Sequence, residues 1–266
     1  MREVEIVRMN VSEGKLEKRM DVVAEEVPLH VFLGDVRVVS ILCSPGMLKE
    51  LAVGHLVAEG FLKGLSEVRE VRLEGDGRCF VLLKAGVDVG KRLELAQPFA
   101  RLVVSACGGG VDVWPLAKLV DRVKGLRVES DAVVRAGVVV DCVRRLNGLA
   151  EVYRRTGGVH VASLNRLDGG LVAFAEDVGR HNAVDKVVGA GVLAGVDFGE
   201  CFLVLSGRLS GDVVLKCARV GLPVVASRAA ALSSGVEVAE RCGVGLVGFV
   251  RGGGMNVYAC AERVRL

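Results

Sequence analysis

The sequence predicts an α/β protein in which a small α+β region precedes a larger domain of alternating strands and helices. Three observations carry that expectation. From residue 157 onward, short Val- and Leu-rich runs alternate with segments of helical spacing, as βαβ units require. The strand-like runs are apolar throughout, which suits a largely parallel sheet buried on both faces. Each run ends in Gly or polar residues, where open α/β sheets place their ligands. With 266 residues, 51% of them hydrophobic, the chain can build a sizeable core in one or two domains. The division falls near residue 99, giving regions 1–99 and 100–266.

Residues 1–20 are polar and read as edge or irregular structure. Residues 22–33, with Pro28 inside, and 36–42 form two strands joined by a tight turn at Gly34-Asp35. Residues 47–62 have helical spacing, with Ser44 as N-cap and Pro45 in the first helical position. Residues 68–73 and 78–84, split by Gly75-Asp76-Gly77, make a hairpin. A short strand at 102–105 runs into Cys107-Gly108-Gly109-Gly110. Residues 116–123 and 130–146 read as helices, the second capped by Ser130-Asp131. Strands follow at 159–164, 171–175, 201–205, 224–226, 245–250 and 255–259. Helices follow Gly179 and cover 212–220 and 236–242.

Composition excludes several classes of function. The net charge of +3 leaves no polyanion footprint, and one Trp with two Tyr supplies no stacking platform, so no nucleic-acid partner is expected. Mean hydropathy is high at +0.44, yet no apolar run reaches the ~18 residues of a membrane span. With no apolar leader at the N-terminus either, the expected location is the cytoplasm. The eight cysteines form no C-x-x-C pair and no metal-ligand spacing with His. No metal site is predicted, and seven of them read as small core hydrophobes. A single Gln and five Asn hint at a thermophile, in which a structural intracellular disulfide is less unusual.

The densest polar stretch is Glu176-Asp177-Val178-Gly179-Arg180-His181-Asn182-Ala183-Val184-Asp185-Lys186, at a strand-to-helix turn. It is one of five polar strand ends, with 105–110, 206–210, 227–228 and 251–254. Parallel strands bring such ends to one edge. Glycines there let backbone N–H groups approach phosphate, and Arg180, Arg208, Arg228 and Arg251 can pair with phosphates bidentately. One such set alone marks a loop as readily as a site. Cys107 precedes three glycines, so it reads as an exposed thiol that nearby cations would activate. His55 and His160 both read as structural, although His160, at a strand start after Gly-Gly, could face either the site or the core. Asp185 could orient His181 across one helical turn, or be a surface acid.

These residues resemble the FdhD family, the sulfurtransferases accessory to formate dehydrogenase. The likeness runs through Glu26-Val27-Pro28-Leu29, Ser44-Pro45, residues 51–60, 156–160 and 176–186. It continues in Ser206-Gly207-Arg208-Leu209-Ser210, Lys216, Gly221-Leu222-Pro223, residues 249–252 and Asn256-Val257-Tyr258. The resemblance implies a cytidine-deaminase-like three-layer α/β/α domain behind the N-terminal α+β region, assembled as a homodimer. It implies a sulfur carrier that takes persulfide sulfur from a cysteine desulfurase. The sulfur goes to the bis-molybdopterin guanine dinucleotide cofactor needed by formate dehydrogenase. Cys107 would carry the persulfide. Phe249, Val250, Arg251, Gly252, Gly253 and Gly254 would hold part of the cofactor, joined on grounds of convergence by Arg180, His181, Ser206 and Arg208. The deaminase zinc motifs H-x-E and P-C-x-x-C are absent, so zinc-dependent deamination is not expected. The family loop usually reads Cys-Gly-x-Cys-Gly. Here Gly110 takes the second Cys position, so no two-cysteine relay exists in this loop. That departure keeps open a cofactor-binding chaperone without sulfur transfer. A Cys–His hydrolase using Cys107 and His181 is a third reading.

Overall fold

A computed structural model describes residues 1–90 and 123–266. The expected division near residue 99, the strand at 102–105, the Cys107 loop and nearly all of the helix expected at 116–123 lie outside the described residues.

The polar composition of residues 1–20 points to edge or irregular structure, and of the two it is exposed strand that forms: β1 (Arg2–Asn10) and β2 (Lys15–Val23) pair as an antiparallel hairpin. Nearly all its side chains are exposed on both faces, so the apolar alternation that betrays a half-buried strand is missing. A four-stranded sheet follows in the order β4-β3-β6-β5, from β3 (Val27–Leu33), β4 (Val36–Cys43), β5 (Val68–Leu73) and β6 (Arg78–Leu83). The turn at Gly34 is present, with φ 59°, a conformation glycine adopts without penalty.

Helix α1 (Leu48–Ala58) packs against β5 and β6 of this sheet. It is buried on nearly all sides, from Leu51 to Ala58 except His55. Its N-cap is Met47 in the left-handed region, with no side-chain cap. Ser44 does not cap it. The Ser44 hydroxyl accepts from the Val178 N–H at 3.1 Å, and its own N–H donates to Asp177 Oδ2 at 3.0 Å.

The larger sheet has the order β13-β12-β11-β10-β8-β9. Its strands are β8 (His160–Arg166), β9 (Leu171–Asp177), β10 (Cys201–Leu205), β11 (Val224–Ser227), β12 (Gly245–Arg251) and β13 (Gly254–Ala259). Only β10–β11 and β11–β12 pair parallel; the other three pairings are antiparallel, so the sheet is mixed rather than largely parallel. Tight turns at Gly169 (φ 94°) and at Gly252-Gly253 (φ 59° and 82°) make β8–β9 and β12–β13 hairpins, and hairpins are antiparallel by construction. The short strand β7 (Val134–Arg135) pairs with β14 (Val264–Arg265) away from this sheet.

Helices cover both faces. On one lies α2 (Ala136–Leu149), whose Val139, Val143 and Leu146 pack with Phe202, Val204, Ala226 and Val247. On the other lie α4 (Arg180–Leu193), α5 (Gly211–Arg219) and α6 (Ser233–Cys242), packed on Leu203, Leu205, Val225 and Leu246. Neighbours along β10 alternate between the two cores, as the two-residue strand period requires. Helix α2 begins six residues beyond the cap expected at Ser130. That hydroxyl instead accepts from the Ala132 N–H (3.1 Å) and donates to the Gly199 carbonyl (3.3 Å). The short α3 (Glu151–Thr156) follows α2.

Where α1 meets α4 the helices almost touch. A Cβ on Gly54 would lie 1.8 Å from the Asp185 carbonyl oxygen, and one on Gly189 would lie 1.8 Å from that of Glu50. Both glycines are therefore set by backbone contact. Core residues of the N-terminal sheet, α1, α4 and the larger sheet form one continuous cluster.

Candidate functional site

The Glu176–Lys186 stretch splits into two roles. Most of it is an internal latch between the N-terminal region and the larger sheet. Asp177 is fully buried and accepts from the Gly179 N–H and Asn182 Nδ2, both at 2.8 Å. It is also ion-paired with Lys186 Nζ at 2.7 Å. Lys186 donates further to the Ser44 carbonyl at 3.0 Å, and Asn182 to the Leu42 carbonyl at 2.9 Å. Glu176 caps α3, accepting from the N–H groups of Val152 and Tyr153 at 3.0 and 2.8 Å.

Asp185 is neither a surface acid nor a partner of His181. It is 1% exposed, pairs with Lys216 Nζ at 2.8 Å and meets His55 Nδ1 at 3.1 Å. Lys216 also reaches Glu59 Oε1 at 3.0 Å. Burial works against the Lys216 charge, but Asp185 and Glu59 outweigh it and push its pKa above the ordinary lysine value.

Arg180 and His181 alone of this stretch turn to the sheet edge. Strands β9 to β12 run in the same direction, so their carboxyl ends meet there, as parallel ordering predicts, together with the start of β8. The successive loops are in contact. The Arg180 stem packs on Gly207, where a Cβ would lie 3.1 Å from that of Arg180. The Ser227 hydroxyl donates to the Gly207 carbonyl at 2.6 Å. The Phe249 N–H donates to the Ala229 carbonyl at 3.0 Å, and the Arg251 guanidinium lies 5.0 Å from the Phe249 ring centroid. Ser206 accepts from the Val161 N–H at 3.0 Å and stands 3.3 Å from His160 Nδ1. His160 therefore faces the site. Its pKa is lowered, first by burial and then by the positive charges of Arg180, His181 and Arg208.

The remaining expected residues distribute unevenly. Arg208, Arg251, Gly252, Gly253 and Gly254 are exposed at the edge, and Phe249 is partly exposed with φ 52°. Val250 is 2% exposed and packs in the α2 core, so only its backbone can face a ligand. Arg228 donates to Asn147 Oδ1 on the α2 side at 2.8 Å. Cys107 lies outside the described residues.

Asp212, which sequence reasoning passed over, is the partner of His181, with Oδ2 2.5 Å from Nε2. Its position in the first turn of α5 was the available signal. Burial opposes the Asp212 charge, but the adjoining His181, the neighbouring Ser210 hydroxyl and Arg180 together hold the carboxyl below its ordinary range. A depressed carboxyl contributes stability above its unfolded pKa and loses it as pH falls through the folded value. The Asp212 side chain is 43% exposed, so the contribution is modest. D212N is expected to lower stability at neutral pH by about 1 kcal/mol or less. Melting temperatures across a pH series check this: the gap to wild type should close in acid.

The seven described cysteines are free thiols, six buried and Cys260 partly so. Burial raises every one: Cys43 and Cys217 to about 12, Cys79 to about 11, and Cys142, Cys201, Cys242 and Cys260 in the same direction. None is made a ready nucleophile. Among the described residues no three His, Cys, Asp or Glu side chains are grouped to hold a metal ion, and no helix is long and apolar enough to cross a membrane.

A mixed α/β sheet carrying a cationic edge, fastened to a smaller sheet by buried ion pairs, defines the class, and comparison specifies it. The chain belongs to the FdhD/NarQ family, whose model matches residues 24–265. It is 34% identical over 257 residues to the sulfur carrier protein FdhD of Sulfolobus acidocaldarius, covering 96% of each chain. It is 38% identical over 221 residues to that of Methanothermobacter thermautotrophicus, covering 83% of this chain and 82% of the other. Its fold matches a crystal structure described as a formate dehydrogenase accessory protein from Desulfotalea psychrophila, with TM-score 0.79, 27% identity and 99% of both chains covered.

Proposed function

We propose that this protein is a sulfur carrier serving formate dehydrogenase, with Cys107 as the carrier thiol. The observation that carries the assignment of Cys107 is that burial suppresses thiolate formation at each of the seven other cysteines. The relatives' shared description as sulfur carriers supports the activity. In the loading step the Cys107 thiolate attacks the outer sulfur of a cysteine desulfurase persulfide. The donor S–S bond breaks, a new S–S bond forms on Cys107, and the donor cysteine leaves as thiolate. With Gly110 in place of a second cysteine, no neighbouring loop thiol competes to resolve that persulfide.

The acceptor proposed is bis-molybdopterin guanine dinucleotide, bound as substrate: the Cys107 S–S bond would break, the outer sulfur would pass to the metal as a sulfido ligand with the two electrons supplied by the metal, and Cys107 would leave as thiolate. The sheet edge suits its pyrophosphates. Arg180, Arg208 and Arg251 offer guanidinium groups, Ser206 and His160 offer polar side chains, and the Gly252-Gly253 turn lets backbone approach closely. The setting proposed is the cytoplasm, where a carrier thiol stays reduced.

The decisive experiment is persulfide mapping. The protein is incubated with a desulfurase and cysteine, and each thiol is identified by mass spectrometry. Added sulfur is expected on Cys107 and absent from C107A. Sulfur at another cysteine, with C107A still loaded, would overturn the assignment. If C107A supports formate dehydrogenase as well as wild type does, the protein is a cofactor chaperone instead.

A further inference from the structure

His160 opens β8 beside Arg180 and His181, which begin α4, and Arg208, in the loop after β10. Burial and these neighbours act together against a proton on the imidazole. Asp177, the register partner of His160 on β9, acts the other way, but its charge is already met by Lys186 at 2.7 Å.

Ser206 ties the ring to the next strand end. Its hydroxyl oxygen accepts from the Val161 N–H at 3.0 Å and stands 3.3 Å from His160 Nδ1, while its own N–H donates to the Val161 carbonyl at 2.9 Å. A hydroxyl has one proton to donate and two lone pairs to accept with. One lone pair is taken by Val161. While the imidazole is neutral with Nδ1 bare, the Ser206 proton goes to Nδ1. Once Nδ1 carries a proton it donates to the other lone pair, and the Ser206 proton is released toward the edge. The heavy atoms already stand where both arrangements need them, so only hydrogens move.

Resting on the reading of this edge as the cofactor's pyrophosphate site, we propose that docking of a pyrophosphate diester draws a proton from solvent onto His160 Nδ1, which turns the Ser206 hydroxyl from the imidazole to a phosphate oxygen. Each phosphate of such a diester is anionic. Set among Arg180, His181 and Arg208, it reverses the field that keeps the empty ring neutral. The complex then holds a proton that the free protein lacks. Affinity therefore rises as pH falls through the window between the pKa of His160 in the complex and its lower pKa in the free protein. A neutral sugar or base gains nothing from this switch, so the pair selects the charged link of a dinucleotide rather than its ends.

The test is titration calorimetry on the full chain with diguanosine pyrophosphate, with folding followed by circular dichroism. The bridging phosphates of this probe do not titrate near neutrality, whereas a terminal phosphate does, at a pKa of about 6. In buffers of different ionisation enthalpy, wild type should show proton uptake on binding. Its dissociation constant should rise by up to about tenfold per pH unit through that window. H160Q, whose amide can still meet Ser206, should show neither the uptake nor the slope, which tells this ring apart from His181. S206A should keep the uptake but lose about tenfold in affinity. Even if a variant folds poorly, the ring nitrogen shifts of His160 in wild type decide the matter: Nδ1 should be bare in the free protein and protonated in the complex. A wild type that does not bind the probe removes the pyrophosphate reading of the edge, and the switch with it. Binding without proton uptake, a slope that H160Q retains, S206A that binds like wild type, or an Nδ1 unchanged by the probe overturns the switch alone and leaves that reading standing.

Discussion

Lys186→Ala is expected to destabilise the protein by about 3–5 kcal/mol, a large share of the roughly 5–15 kcal/mol that holds a domain folded. The reason lies in what remains. Asp177 is 0% exposed, and Lys186 is the cation that balances it at 2.7 Å. Without that ammonium, Asp177 keeps its neutral donors from Ser44, Gly179 and Asn182 but carries an uncompensated buried charge. At about 2–4 °C per kcal/mol for a chain of this size, the melting temperature should fall by roughly 10 °C. K186M, which keeps most of the volume, should fall comparably. Adding D177N to K186M should recover much of the loss, since both charges then leave together. Calorimetry on the three variants separates charge from volume. A K186M protein as stable as wild type would show that the latch does not depend on the pair.

Gly54→Ala is expected to destabilise by about 3 kcal/mol or more, although helix propensity alone predicts a gain of about 1 kcal/mol for the same change. The added Cβ would sit 1.8 Å from the Asp185 carbonyl oxygen and 2.7 Å from its carbon. Backbone on both sides leaves no flexible group to yield, so α1 and α4 must separate. That separation stretches the His55–Asp185 contact of 3.1 Å and disturbs the Lys216–Asp185 pair. Gly189→Ala meets the same obstacle from the facing helix, at 1.8 Å from the Glu50 carbonyl oxygen. A chemical-denaturation series decides the sign, and a stabilised G54A would refute the close crossing.

Much of the secondary structure was legible because its signals are local. The Gly34-Asp35 turn, the helical spacing after Gly179 and the apolar run at 201–205 all appear close to where periodicity puts them. The edge gathered most of its expected residues because strand direction alone brings carboxyl ends together. The Glu176–Lys186 stretch was harder to read. Its density of acid, base and amide looks like chemistry, yet most of it satisfies groups far away in the chain. Asp177 serves Ser44, 133 positions distant, and Asp185 serves Lys216, 31 positions distant. Periodicity carries no information about such partners. The same blindness made Ser44 look like a helix cap, and it left residues 1–20 undecided between edge and irregular structure, because the partly apolar residues of the β1–β2 hairpin lie open to solvent.

By itself the sequence determined the α/β class, the position of most strands and helices, and the family, because these follow from spacing, composition and residue order. The tertiary structure decided the rest. It showed which cysteines are suppressed by burial, that His160 and Asp212 join the edge, and that the sheet is mixed. It also showed that the fingerprint is mainly a buried ion-pair latch. Charge pairing, desolvation and backbone contact act across space, so they exist only once distant segments have been brought together.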